Sequence, residues 1–251
     1  MSRAVTDSIK SVKVSRLHKP PKMELREWQI ALRRQFAEDQ PFELRNLGKD
    51  PIFSEFSLTN PATQRTYRVA IRGEGPGVNF CSCPDYAVNT LGTCKHIEHT
   101  LHKLRRRHAA KLRQGFRPPC AEVYLRYGAQ RTIVFSPGTN CPSALEHLAK
   151  KYFRLDGSLG PEGARRFHEF VQAATASGHP LRIYDDALAF IAEQRDAAAR
   201  AQQLQRRYTG RGAEAAWKSL LKVPLYPYQR EGALFAAQAG RVLLADDMGL
   251  G

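Results

Sequence analysis

The stretch FCSCPDYAVNTLGTCKHIEH, residues 80–99, constrains this chain more than any other, because it places four metal-type ligands in two close pairs. Cys81 and Cys83 are two apart on what reads as a strand, so both thiols face one side while Ser82 faces the other. Ten residues later Cys94 and His96 stand at the start of a helix pattern. Three thiolates and one imidazole form a tetrahedral set that suits Zn2+ and leaves no open position for a substrate water, so the expected ion is structural. The alternative is a group of ordinary buried thiols with a surface histidine. Paired ligands at both ends of one loop argue against it. His99 and His102 follow three and six residues after His96, and His99 competes for the fourth position. Cys120 and Cys141 have no partner at ligand spacing and read as small apolar residues.

The metal reading needs a reducing setting, and the amino-terminal stretch MSRAVTDSIKSVKVSRLHKPPK agrees with one. It carries cations but no apolar h-region, so a cytoplasmic location is expected. No apolar run approaches the ~20 residues that a membrane span needs.

Charge points to the partner. Lys and Arg number 39 against 24 Asp and Glu, a formal net charge of +15, which favours a polyanion such as DNA or RNA over an acidic small molecule. The helix after the cysteine pairs continues as HKLRRRHAAKLR and clusters Lys103, Arg105, Arg106, Arg107, Lys111 and Arg113 within about three turns. A solvated charged face is the alternative. No aromatic residue is interleaved, so phosphate contact without base readout is expected. A protein partner at the finger remains open.

Residues 1–22 read as a basic tail ending at Pro20-Pro21. Residues 23–118 form a first unit. Leu25, Trp28, Leu32 and Phe36 mark an amphipathic helix, and three alternating segments then make an antiparallel meander. A helix from about Lys95 to Gln114 closes the unit with Ile97, Leu101, Leu104 and Leu112 inward. Residues 119–222 read as a hairpin, a helix opening near Pro142, one from Pro161 to Gly178, a short strand at 181–185, and a long helix from Asp186. The second half of that helix, rich in Ala, Gln and Arg, reads as a solvated arm. The class is α+β.

Two resemblances follow from these residues. The C-x-C, ten residues, C-x-H pattern in a strand-strand-helix setting resembles the SWIM zinc finger over roughly residues 50–110, and the family's spacing favours His96 as the fourth ligand. At the other end, LYPYQREG, a short helix, RVLLA and DDMGLG resemble the Swi/Snf-type ATPases of helicase superfamily two over residues 223–251. That resemblance implies the start of a RecA-like α/β P-loop domain. Tyr228 and Gln229 would belong to a Q-type motif reading adenine, and Asp246, Asp247, Met248, Gly249, Leu250 and Gly251 to the nucleotide loop. Asp246 stands where the general P-loop has its first glycine, a departure the family shares. The sequence ends at Gly251, before the loop lysine. The implied protein is the amino-terminal part of a DNA-dependent ATPase, with ATP and Mg2+ used by the longer protein and no catalysis by this chain. The alternative is a non-enzymatic zinc-binding adaptor for nucleic acid or protein.

Overall fold

A computed structural model describes residues 13–245. Helix α1 (Leu25–Glu38) leads into strands β1 (Glu43–Asn46), β2 (Glu55–Asn60), β3 (Arg65–Ala70) and β4 (Phe80–Cys81), which form one antiparallel sheet in sequence order. A short helix α2 (Pro84–Val88) and the long α3 (Lys95–Gln114) follow. The meander forms as its alternation predicts, with Phe56 paired to Val69 and Val69 to Cys81. Phe56, Leu58 and Val69 face the same core as Ile97, Leu101, Leu104 and Leu112 of α3, the inward set expected from its spacing. The structure adds β1, a mostly polar edge strand that the alternation rule does not detect.

Helix α1 uses its faces differently from the sequence pattern. Leu25 is exposed, and Ala37 is the buried residue of the helix. Three arginines hold it in place instead. Arg33 meets Asp85 at 2.7 Å, Arg34 meets Glu98 at 3.0 Å, and Arg26 donates to the carbonyls of Thr90 and Leu91 at 3.1 and 3.0 Å.

The second core is built on β5 (Ala121–Arg126), β6 (Thr132–Ser136) and β7 (Leu181–Ile183), in the order β6-β5-β7, with β7 parallel to β5. Helices α4 (Ser143–Ala149), α5 (Pro161–Arg165), α6 (Phe167–Ala176) and α7 (Asp185–Tyr208) surround it. Phe135, Phe153, Phe167 and Phe170 pack together as its aromatic centre. The single helix expected from Pro161 to Gly178 breaks at Arg166, whose φ of −103° and ψ of 13° leave the helical region.

The arm of α7 is not bare. Helices α8 (Ala213–Leu220) and α9 (Pro227–Ala239) pack beside it. Trp217 is buried, with its Nε1–H donating to the Tyr208 carbonyl at 3.2 Å and Arg230 reaching Glu214 at 2.6 Å. The strand expected at Arg241–Ala245 does not form, and Leu243 is 86 % exposed. A parallel strand needs neighbours to bond its N–H and C=O groups, and no described strand lies beside this one. The described residues are therefore α+β with two small sheets, and of the expected RecA-like start they contribute helix α9 and a stretch without regular secondary structure. Among them no helix is long and apolar enough to cross a membrane.

Candidate metal centre

The local chain path explains why four distant ligands meet. Strand β4 ends at Cys81, so Cys83 is not on the strand but at the N-cap of α2, where its Sγ accepts from the Tyr86 N–H at 3.4 Å. Pro84 at the first helical position supports that turn. Cys94 stands at the N-cap of α3 with extended backbone angles but no side-chain cap bond, and His96 lies in the first turn. The ligand atoms of Cys81, Cys83, Cys94 and His96 all lie within 4.8 Å of one another, and all four residues are buried.

The distances suit a metal. His96 presents Nδ1 to the group, 3.7 Å from Cys81 Sγ and 4.0 Å from Cys94 Sγ. A tetrahedral ion with bonds of 2.0–2.3 Å separates its ligand atoms by roughly 3.5–3.8 Å. Electrostatics ask for one as well. Hydrogen bonding from Cys81 and then Cys94 pulls the Cys83 thiol far below the ordinary thiol range. Hydrogen bonds to Cys83 and Cys94, with burial, push Cys81 far up, and burial pushes Cys94 up. The protein alone thus favours one thiolate, whereas a divalent cation stabilises all three. The four residues can hold a metal ion.

The surroundings fix the ligands. Tyr67 and Phe42 cover the His96 ring at centroid distances of 4.7 and 5.3 Å. The ten-residue loop is held from within by Asn89, whose Nδ2 donates to the carbonyls of Asp85 and Thr93 at 2.7 and 3.1 Å. Buried Glu98 accepts from the Thr93 hydroxyl at 2.8 Å and pairs with Arg34 at 3.0 Å. His99, the competing ligand in the sequence, turns away and its Nδ1 lies 2.8 Å from the Ala37 carbonyl of α1. Cys120 and Cys141 lie partly buried outside the group.

The loop is also tied to the second core, which nothing in its sequence announces. The Gly77 N–H donates to the Gly92 carbonyl and the Gly77 carbonyl accepts from the Tyr127 N–H, both at 2.8 Å. Tyr127 packs its ring on Tyr86 at 4.4 Å, and the Tyr86 hydroxyl donates to the Asn79 carbonyl. Arg131 donates to the Ala87 carbonyl.

The helix that carries His96 also carries the cations, and the structure divides them. Arg105 is taken by Glu74 at 2.7 Å. Lys103, Arg106, Arg107, Lys111 and Arg113 make no salt bridge among the described residues, and all but half-buried Lys103 are exposed. His108 breaks the helix between them, with φ −138° and ψ 32°. The resulting ridge continues to exposed Arg117.

At the other end, the Gln229 Oε1 accepts the Tyr226 N–H at 3.0 Å and so caps α9, and the rings of Tyr226 and Tyr228 stack at 5.8 Å. Tyr228, Phe235, Leu243 and Leu244 line an open hollow of 510 Å³. The expected loop residues Asp246, Asp247, Met248, Gly249, Leu250 and Gly251 lie outside the described residues. No family model matches the chain, and neither the curated proteins nor the solved structures give a match.

Proposed function

We propose that this chain is a zinc-stabilised module that binds the phosphate backbone of nucleic acid through the exposed face of α3. The supporting observation is that one helix buries His96 in its first turn and exposes Arg106, Arg107, Lys111 and Arg113, with exposed Arg117 just past its end, five cations that make no salt bridge among the described residues. The ion is Zn2+, because a Cys3His set of soft and borderline ligands with no carboxylate suits zinc above Mg2+ or Ca2+. Its role is to fix the first turn of α3, and with it the direction of the ridge.

Backbone binding releases counterions, and five phosphate contacts on duplex DNA give a log-log salt slope of roughly −4.5. Replacing Arg106, Arg107 and Lys111 together with Ala is expected to bring the slope to roughly −2 at unchanged zinc content. Fluorescence anisotropy over a salt series measures it. Binding indifferent to salt, or an unchanged slope in the triple variant, would overturn the reading.

We further propose that residues 223–251 are the start of the ATPase suggested by their motifs. The exposed apolar side chains of α9 and of Val242, Leu243 and Leu244 support this, since a neighbouring sheet would cover them. P-loop affinity arises from the loop amides, the lysine and the following helix N-terminus, and only the first part of that loop is in the sequence. Calorimetric titration with ATP and Mg2+ is expected to show no binding to this chain. A saturable isotherm would overturn that expectation.

A further inference from the structure

Between the two sheets lies an open cleft of 920 Å³ whose walls come from both cores. Its mouth adjoins the end of α3, because Phe116, two residues past that helix, lines it. Phe116 is 41 % exposed and stacks on Phe53 at 5.1 Å with 18° between the rings. Exposed Arg117 follows Phe116 in the chain, and exposed Lys49 lines the same cleft. The cationic ridge of α3 therefore ends at an exposed aromatic face.

Inside the cleft the charges neutralise one another. Arg68 meets Glu55 at 2.9 Å, Arg72 meets Asp186 at 3.4 Å, and Arg182 meets Glu122 at 3.6 Å. A phosphate gains little there, whereas a flat, uncharged, polar-edged group fits. The Arg72 guanidinium is also buried against the Tyr184 ring at 3.9 Å, so it presents no free charge to a phosphate. The outer ridge suits phosphates and the cleft suits bases.

From this division, and resting on the backbone-binding reading above, we infer that the module prefers single-stranded nucleic acid, with its backbone along α3 and a base stacked on Phe116 at the cleft mouth. Every base offers a π-face, so the stacking adds affinity without sequence readout. A duplex keeps its bases stacked on each other and cannot use the aromatic face.

The test compares a single-stranded oligonucleotide, its duplex and an abasic strand of the same length, by anisotropy on the full zinc-loaded chain. The single strand is expected to bind more tightly than both others. Phe116→Ala should lower its affinity roughly 5- to 100-fold, a stacking loss. The salt slope and duplex affinity should stay unchanged, and Phe116→Trp should restore binding. Equal affinity for the base-bearing and abasic strands, or a Phe116→Ala variant that binds like the parent, would overturn the cleft assignment while leaving the ridge intact. Loss of the salt slope in the Arg106/Arg107/Lys111 variant with no effect of Phe116 would do the same. Absence of binding to every strand would overturn both.

Discussion

Stripping the metal from Cys81, Cys83, Cys94 and His96 is expected to unfold the first core, with the largest loss of stability of any change to this chain. The four ligands are buried and their thiols are crowded, so without a cation the site is left with repulsion and protonated sulfur. Structural zinc contributes on the order of 10 kcal/mol in finger peptides, comparable to the roughly 5–15 kcal/mol total stability of an ordinary domain. Binding displaces protons from the thiols, so the metal-linked stability falls as the pH is lowered. Elemental analysis should give one equivalent of zinc in protein purified without chelators, and circular dichroism should show a large drop in melting temperature on chelation and in Cys83→Ser. Less than about half an equivalent, with melting unchanged by chelator, would refute the structural ion. Phe42 and Tyr67 pack on His96 and α1 packs on the helix that carries it, so the loss should spread through the first core.

The second large effect is expected from Gly77→Ala. Gly77 has φ +88°, a conformation that costs an L-residue about 1–3 kcal/mol. A β-carbon there would also overlap the Tyr127 carbonyl oxygen, which is backbone and cannot rotate away. The substitution should therefore break the Gly77 bonds to Gly92 and Tyr127 and loosen the metal loop from the second core. Hydrogen exchange should rise at the Tyr127 amide, and the melting temperature should fall even with zinc saturating. Gly75→Ala is the control, because nothing lies within 4 Å of its β-carbon position and its φ is not positive. Equal stability of the two variants would show that the junction contributes nothing to the fold.

Much of the metal centre could be read from residue order, because a C-x-C pair and a C-x-H pair on one short loop encode their convergence locally. The inward face of α3 was equally legible, since Ile97, Leu101, Leu104 and Leu112 keep a helical period. The alternating segments at 55–60, 65–70 and 121–136 likewise predict their own pairing. These features depend on neighbours a few residues away.

What local order leaves open is which groups meet across long separations. The pairing of Arg105 with Glu74 and the escape of Arg106 and Arg107 depend on how α3 lies over the β3–β4 turn. The choice of His96 over His99 follows from α1, whose Ala37 carbonyl engages the His99 ring. Gln229, which the motif assigns to adenine, caps its own helix because its Oε1 reaches the Tyr226 amide. The Arg241–Ala245 segment has strand-forming composition, yet a strand is a relation between chains of hydrogen-bonding groups, and none of the described strands pairs with it. The aromatic face at the end of the ridge is made by Phe53 and Phe116, 63 positions apart, and no period or spacing connects them. Sequence order thus specified the ligands and the helical face, through contacts within a turn or a hairpin. Packing of α1, α3 and the second core specified which charges stay free and where an aromatic face meets them, because those contacts arise when distant segments exclude water from a shared surface.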